Sequence, residues 1–93
     1  MDLNDSQYKI VFSSHFDRIL KNLQRKNSDL LKELKIKILK IAASPILGKP
    51  LRNVLRNYRR AHLGSFVLIY EIKDKEVRFL DFDHHDNVYK KHR

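Results

Sequence analysis

No cysteine occurs in the 93 residues, which excludes disulfide frameworks and thiolate metal sites and makes a cytoplasmic location the default expectation. No apolar run approaches the roughly 20 residues of a membrane span, and residues 1–5 (Met-Asp-Leu-Asn-Asp) are acidic and polar, unlike a signal peptide. Glycine and proline are scarce, two of each; both prolines and Gly48 fall within residues 44–57, leaving Gly64 alone elsewhere. The most informative absence is of negative charge. No acidic residue lies between Glu33 and Glu71, while Lys35, Lys37, Lys40, Lys49, Arg52, Arg56, Arg59 and Arg60 all do. With a formal charge of +9, this interval makes a one-sign field that attracts polyanions. Nucleic acid is the favoured partner and an acidic protein is compatible with it. A merely soluble lysine-rich surface accounts for the total charge but not for its clustering.

What is present is a chain long enough for one domain, residues 1–93, with one core. Residues 58–70 have the marks of a β-hairpin: two runs rich in aromatic and β-branched residues flank Leu63, Gly64 and Ser65, and Gly64 supplies the positive φ that such turns need. On the first strand Arg60 and His62 point one way, Ala61 and Leu63 the other. The second strand, residues 66–70, is apolar on both faces and reads as central. The face that carries Arg60 and His62 is a floor for a site, or simply the solvated face of an edge strand.

Residues 1–7 and 90–93 read as flexible ends. Residues 8–12 alternate as a first strand, and Ser13 or Ser14 suits an N-cap. Phe16, Ile19, Leu20 and Leu23 then form one face of a helix. Ser28 and Asp29 suit the cap of a second helix, whose stripe is Leu31, Leu34, Ile38 and Ile41 and which Pro45 stops. Residues 44–57 read as an ordered loop pinned by Leu47, Leu51 and Leu55. Residues 76–83 alternate as a last strand, with Arg78, Leu80 and Phe82 on one face and Val77, Phe79, Asp81 and Asp83 on the other. The predicted fold is α+β, order β-α-α-β-β-β: two antiparallel helices on one face of a small, mostly antiparallel four-stranded sheet, the other face left open.

Three segments carry a family resemblance. Residues 59–72 (Arg-Arg-Ala-His-Leu-Gly-Ser-Phe-Val-Leu-Ile-Tyr-Glu-Ile) resemble the signature of the RelE/ParE toxin superfamily, Tyr-Arg-x-Arg-x-Gly-Asp-Tyr-Arg-x-x-Tyr. Residues 49–52 (Lys-Pro-Leu-Arg) are similar to its Lys-x-Leu-x-Gly segment, and residues 83–90 (Asp-His-His-Asp-Asn-Val-Tyr-Lys) to its closing His-Arg-x-x-Val-Tyr. The resemblance spans about residues 8–90. It implies a toxin of a type II toxin–antitoxin module, held in a hetero-oligomer by a cognate RelB-like antitoxin. RelE-like members are ribosome-dependent endoribonucleases that cut messenger RNA in the 30S A site without a metal; ParE-like members share the fold and inhibit DNA gyrase without being nucleases. A nucleic-acid-binding module with neither activity is the third reading. Arg60 matches the first basic strand residue, His62 an arginine, and Phe66 the aromatic after the turn. His84, His85 and Tyr89 match the closing His, Arg and Tyr. Val67 stands where RelE-like enzymes carry an arginine on the scissile phosphate, and Ser65 replaces Asp.

Metal-free RNA cleavage needs a base for the 2′-OH, a cation for the phosphorane and an acid for the 5′-oxygen. Arg60, His62, His85 and Tyr89 are the candidate catalytic set, and Lys49, Arg52, Arg56, Arg59 and Lys90 the candidate RNA contacts. Tyr89 equally suits an anchor of the C-terminal tail on the core. His84 and His85 with Asp81, Asp83 and Asp86 also suggest a metal cluster; against it, adjacent strand residues point to opposite faces. The blander reading is an aspartate orienting a neighbouring imidazole.

Overall fold

The computed structural model describes residues 8–47, 49–50 and 58–91; residues 1–7, 48, 51–57 and 92–93, with the flexible ends and the Leu51 and Leu55 pins expected there, lie outside them. Strand β1 (Lys9–Phe12) passes into helix α1 (Ser14–Lys26) at Ser13, whose Oγ accepts a hydrogen bond from the Phe16 N–H at 3.1 Å. That bond satisfies one of the N–H groups a helix start leaves over. Asn27 ends α1 and caps α2 (Ser28–Ala43) by accepting from the Leu30 N–H at 3.2 Å. The cap is one residue earlier than the sequence suggests, because the Asn27 amide oxygen reaches the same N–H that a serine hydroxyl would.

After a 3-10 turn (Pro45–Leu47) come β2 (Lys49–Pro50), β3 (Tyr58–Leu63), β4 (Phe66–Lys73), β5 (Glu76–His84) and a third helix, α3 (His85–Lys91). The sheet order is β1-β5-β4-β3-β2, antiparallel except where β1 runs parallel to β5. The predicted α+β fold and its element order are present, with a two-residue edge strand added inside the stretch read as a loop. Gly64 turns β3 into β4 at φ +61. A Cβ there would meet nothing within 4 Å, so the left-handed backbone rather than space calls for glycine.

Both helical stripes bury against the sheet. Phe16, Leu34, Ile38 and Ile41 form one core with Leu68, Tyr70, Val77, Phe79 and Phe82. Phe82 belongs there only because β5 contains a bulge. Ile69 pairs with Asp81 but Tyr70 pairs with Phe79, so Leu80 is an extra residue and the alternation changes phase across it. The unbroken alternation read from the sequence therefore fails at this point. Val77, Phe79 and Phe82 face the helices, while Asp81 and Asp83, opposite Ile69 and Val67, turn to the other side.

That other side is not left open. Val88 of α3 packs on Val67 and Ile69, all three without exposed surface, and Tyr58 and Leu80 border them. Strand β4 is apolar on both faces because helices cover both. Lys90 and Lys91, read as part of a flexible end, belong to α3. Among the described residues no helix is long and apolar enough to cross a membrane.

Candidate functional site

The register sets out the site in two rows. His62, Val67 and Asp83 lie side by side on β3, β4 and β5, and Arg60, Ile69 and Asp81 form the next row. At a strand spacing of about 4.8 Å, the β3 backbone positions of each row stand roughly 10 Å from those on β5. Helix α3 occupies the ground between, over β4 and β5. His62 is exposed and Arg60 half-buried on the strip beside it.

His85 is brought to the same end of the sheet as His62. Its backbone N–H donates to the Ser65 carbonyl at 3.0 Å, which fixes the start of α3 to the β3–β4 turn. The His84 and His85 rings lie 4.5 Å apart at 31°. His85 Nδ1 is 2.9 Å from an Asp86 carboxylate oxygen, and His84 Nδ1 is 3.8 Å from the other. Both imidazoles keep more than two fifths of their surface in solvent, 43% and 44%. A strand normally sends adjacent side chains apart, but here the chain leaves the strand between the two residues, so they converge.

A second charged group holds α3 in place. Asp81, 3% exposed, accepts from Lys91 Nζ at 2.8 Å and from the Phe82 N–H at 2.9 Å, and its carboxylate lies 3.1 Å from His15 Nε2. Lys91 also reaches Asp83 at 3.3 Å. Burial alone would lift the Asp83 pKa, but the His84 N–H, the Asn87 amide and Lys91 outweigh it and hold the carboxyl below its ordinary value. Burial would likewise lower Lys91, and the two carboxylates outweigh it and raise its pKa. Sequence reading misses the His15–Asp81 contact. The residues are 66 apart, and only the parallel pairing of β1 with β5 and the bulge bring them together.

The candidate RNA contacts separate. Arg59 is on the helix-bearing side, opposite Tyr70, with its guanidinium donating to the Ile46 carbonyl at 3.4 Å. The backbone of Lys49 pairs with Arg60 on the edge strand, and Lys90 is exposed on α3. Arg52 and Arg56 lie outside the described residues, as do the side chains of Lys49 and Tyr89; the backbone of Tyr89 is in α3. The broad metal cluster also divides: Asp81 and Asp83 are taken up by Lys91, while His84, His85 and Asp86 draw together.

Comparison with known proteins agrees with these features. The family described as the ParE toxin of the type II toxin–antitoxin system parDE matches residues 10–89. A Methanocaldococcus jannaschii protein named for the toxin RelE4 is 39% identical over 87 residues, 90% of this chain and 93% of its own. Among solved structures, the toxin–antitoxin complex RelBE2 of Mycobacterium tuberculosis contains a chain that is 28% identical. It superposes with a TM-score of 0.73 over 84% of this chain and 98% of its own. The E. coli DinJ–YafQ complex gives 26% identity and a TM-score of 0.69, over 89% and 99%. A match over residues 10–89, with a relative of 39% identity across nine tenths of the chain, establishes that the protein belongs to the RelE/ParE toxin superfamily of type II toxin–antitoxin systems.

Proposed function

We propose that this toxin is a ribosome-dependent endoribonuclease that cuts messenger RNA in the A site by metal-free acid/base chemistry. The observation that carries the reading is the grouping at one end of the sheet: Arg60 and His62 on β3, and His85 tied by its N–H to the β3–β4 turn. One imidazole takes the proton of the 2′-OH, whose oxygen attacks phosphorus. Arg60 balances the charge of the phosphorane, and a second acid, His85 or Tyr89, protonates the departing 5′-oxygen. The products are a 2′,3′-cyclic phosphate and a 5′-hydroxyl. Histidine, with an unperturbed pKa near 6.5, serves either proton role at cellular pH. Lys49, Arg52, Arg56 and Lys90 are the proposed contacts to RNA phosphates.

The proposed partner is a RelB-like antitoxin that forms a hetero-oligomer with the toxin. A groove of about 260 Å³, lined by Ile10, Phe12, Leu20, Lys35, Ile38 and Leu39, runs between β1 and the helices. Leu39 is 64% exposed and Ile36 57%, so an apolar strip sits among lysines, the complement of an acidic amphipathic segment.

Primer extension on translating messages after induction tests the nuclease reading. Codon-phased cuts are expected, and their absence overturns it. A second reading, non-enzymatic inhibition of DNA gyrase, draws support from the ParE family match and from Val67, which leaves no arginine at the position where RelE-like enzymes hold the phosphate. Loss of gyrase supercoiling by the purified toxin, with messages intact, is its signature.

A further inference from the structure

We propose that His84, His85 and Asp86 form a binding site for one divalent transition-metal ion of the zinc class. One ligand atom from each of the three lies within 4.8 Å of the other two. The His85–Asp86 and His84–Asp86 separations are 2.9 and 3.8 Å. Zinc bonds of about 2.0–2.2 Å in a tetrahedral arrangement place neighbouring ligand atoms about 3.3 Å apart. The two separations to Asp86 bracket the required spacing, and the third is no more than 4.8 Å, so side-chain rotation is what closes the set on an ion.

The site stands on fixed backbone. His84 is the last residue of β5, and its ring meets Phe66 edge-on at 6.1 Å. The His84 N–H donates to Asp83 at 2.8 Å, and the His85 N–H to Ser65 at 3.0 Å. Lys91, the nearest strong competitor for a carboxylate, is engaged by Asp81 and Asp83 and leaves Asp86 to the imidazoles. With 43%, 44% and 67% of their side-chain surface in solvent, the three ligands admit an ion, and water completes its coordination. Two imidazoles and one carboxylate select zinc, nickel or cobalt over magnesium, which prefers oxygen ligands throughout. Binding does not depend on the nuclease reading, but one consequence does: an ion on His85 withdraws that nitrogen from proton transfer.

The test is calorimetric titration of tag-free, full-length toxin with zinc chloride, alongside thermal melting. One saturable site per chain is expected, with a melting temperature that climbs with zinc concentration because the ion binds only the folded arrangement. His84→Ala and Asp86→Asn should each abolish both signals while melting like the parent without zinc; Asp86→Asn changes the most exposed ligand, should His84→Ala disturb the fold. His62→Ala should retain both signals. The proposal is overturned by the absence of saturable zinc uptake, by uptake that survives both variants together, or by equal uptake of magnesium. If apo toxin cuts RNA, zinc should suppress cutting by the parent but not by Asp86→Asn. Toxin that binds zinc yet never cuts removes the nuclease reading and leaves the metal site standing.

Discussion

Val88 of α3 packs directly on Val67 of β4, and neither retains exposed surface. The position that bears a phosphate-holding arginine in RelE-like enzymes is here part of an apolar contact that seats the C-terminal helix. An arginine at this place has no route to solvent unless α3 moves. The first expectation concerns stability. Val88→Ala should cost about 1–3 kcal/mol through lost burial and a residual cavity, near 4–8 °C per kcal/mol in a domain of this size. Val67→Arg should cost more, since it drives a long charged side chain into the apolar contact with Val88, beside an Asp83 carboxylate already held by Lys91. Thermal melts of the two variants check both; a Val67→Arg protein that melts like the parent would show that α3 lifts readily from the sheet.

The hairpin, the two helical stripes and the basic interval were legible in the sequence because each rests on local periodicity or composition. The β3–β4 turn could be read from Gly64 between two β-rich runs, and the α1 cap from Ser13. The bulge at Leu80 could not, because inserting one residue changes the facing of Asp81 and Phe82 without leaving a compositional mark. Helix α3 was obscured for a related reason: seven residues with one fully buried apolar anchor, Val88, show no helical stripe. Without α3 the face of Arg60 and His62 looked open. The convergence of His84 and His85 depends on where β5 stops, a boundary set by tertiary hydrogen bonds rather than by local preference.

The Asp81–Lys91–Asp83 group should give stability a characteristic pH dependence. The folded pKa of Asp83 lies below its unfolded value, so its contribution is present above about pH 4 and disappears as pH falls through the folded pKa. Lys91 has the opposite sign: its contribution is complete below about pH 10 and is lost as pH rises through the raised folded pKa. Lys91→Met removes the cation from a carboxylate only 3% exposed, at a cost of about 1–3 kcal/mol near neutrality. Urea unfolding across pH should show the gap between Asp83→Asn and the parent closing in acid, and that between Lys91→Met and the parent closing in alkali. A gap constant with pH in both variants would mean that these ion pairs do not contribute.

Antitoxin binding should be separable from folding at Leu39. Burying a leucine side chain is worth about 1.5–3 kcal/mol, so Leu39→Glu, which also introduces charge repelled by an acidic partner, should weaken binding by roughly tenfold or more. Its melting temperature should stay near that of the parent because the side chain is 64% exposed. Pull-down and calorimetry against the product of the adjacent gene measure this. Undiminished affinity would move the antitoxin to another surface.

The chemical site carries the most demanding expectation. On the proposed nuclease reading, with Val67 buried beneath α3, the charge on the phosphorane would be met from β3, where Arg60 lies beside exposed His62 and at the sheet end where His85 is fixed. Losing one transition-state contact of this kind typically costs a factor of about 100–1000 in rate. Arg60→Ala should therefore relieve growth arrest, and Tyr89→Phe should do the same if the hydroxyl is the acid for the 5′-oxygen. His85→Ala should join them, with codon-phased cleavage products lost in primer extension. Each variant should still co-purify with the antitoxin, since the apolar strip around Leu39 is untouched. Lys90→Ala, on the exposed side of α3, should instead weaken RNA binding and lower its log–log salt slope by about 0.7 to 0.9. If Arg60→Ala, His85→Ala and Tyr89→Phe all remain fully toxic, the nuclease reading is wrong, and inhibition of gyrase by the same surface becomes the function to measure.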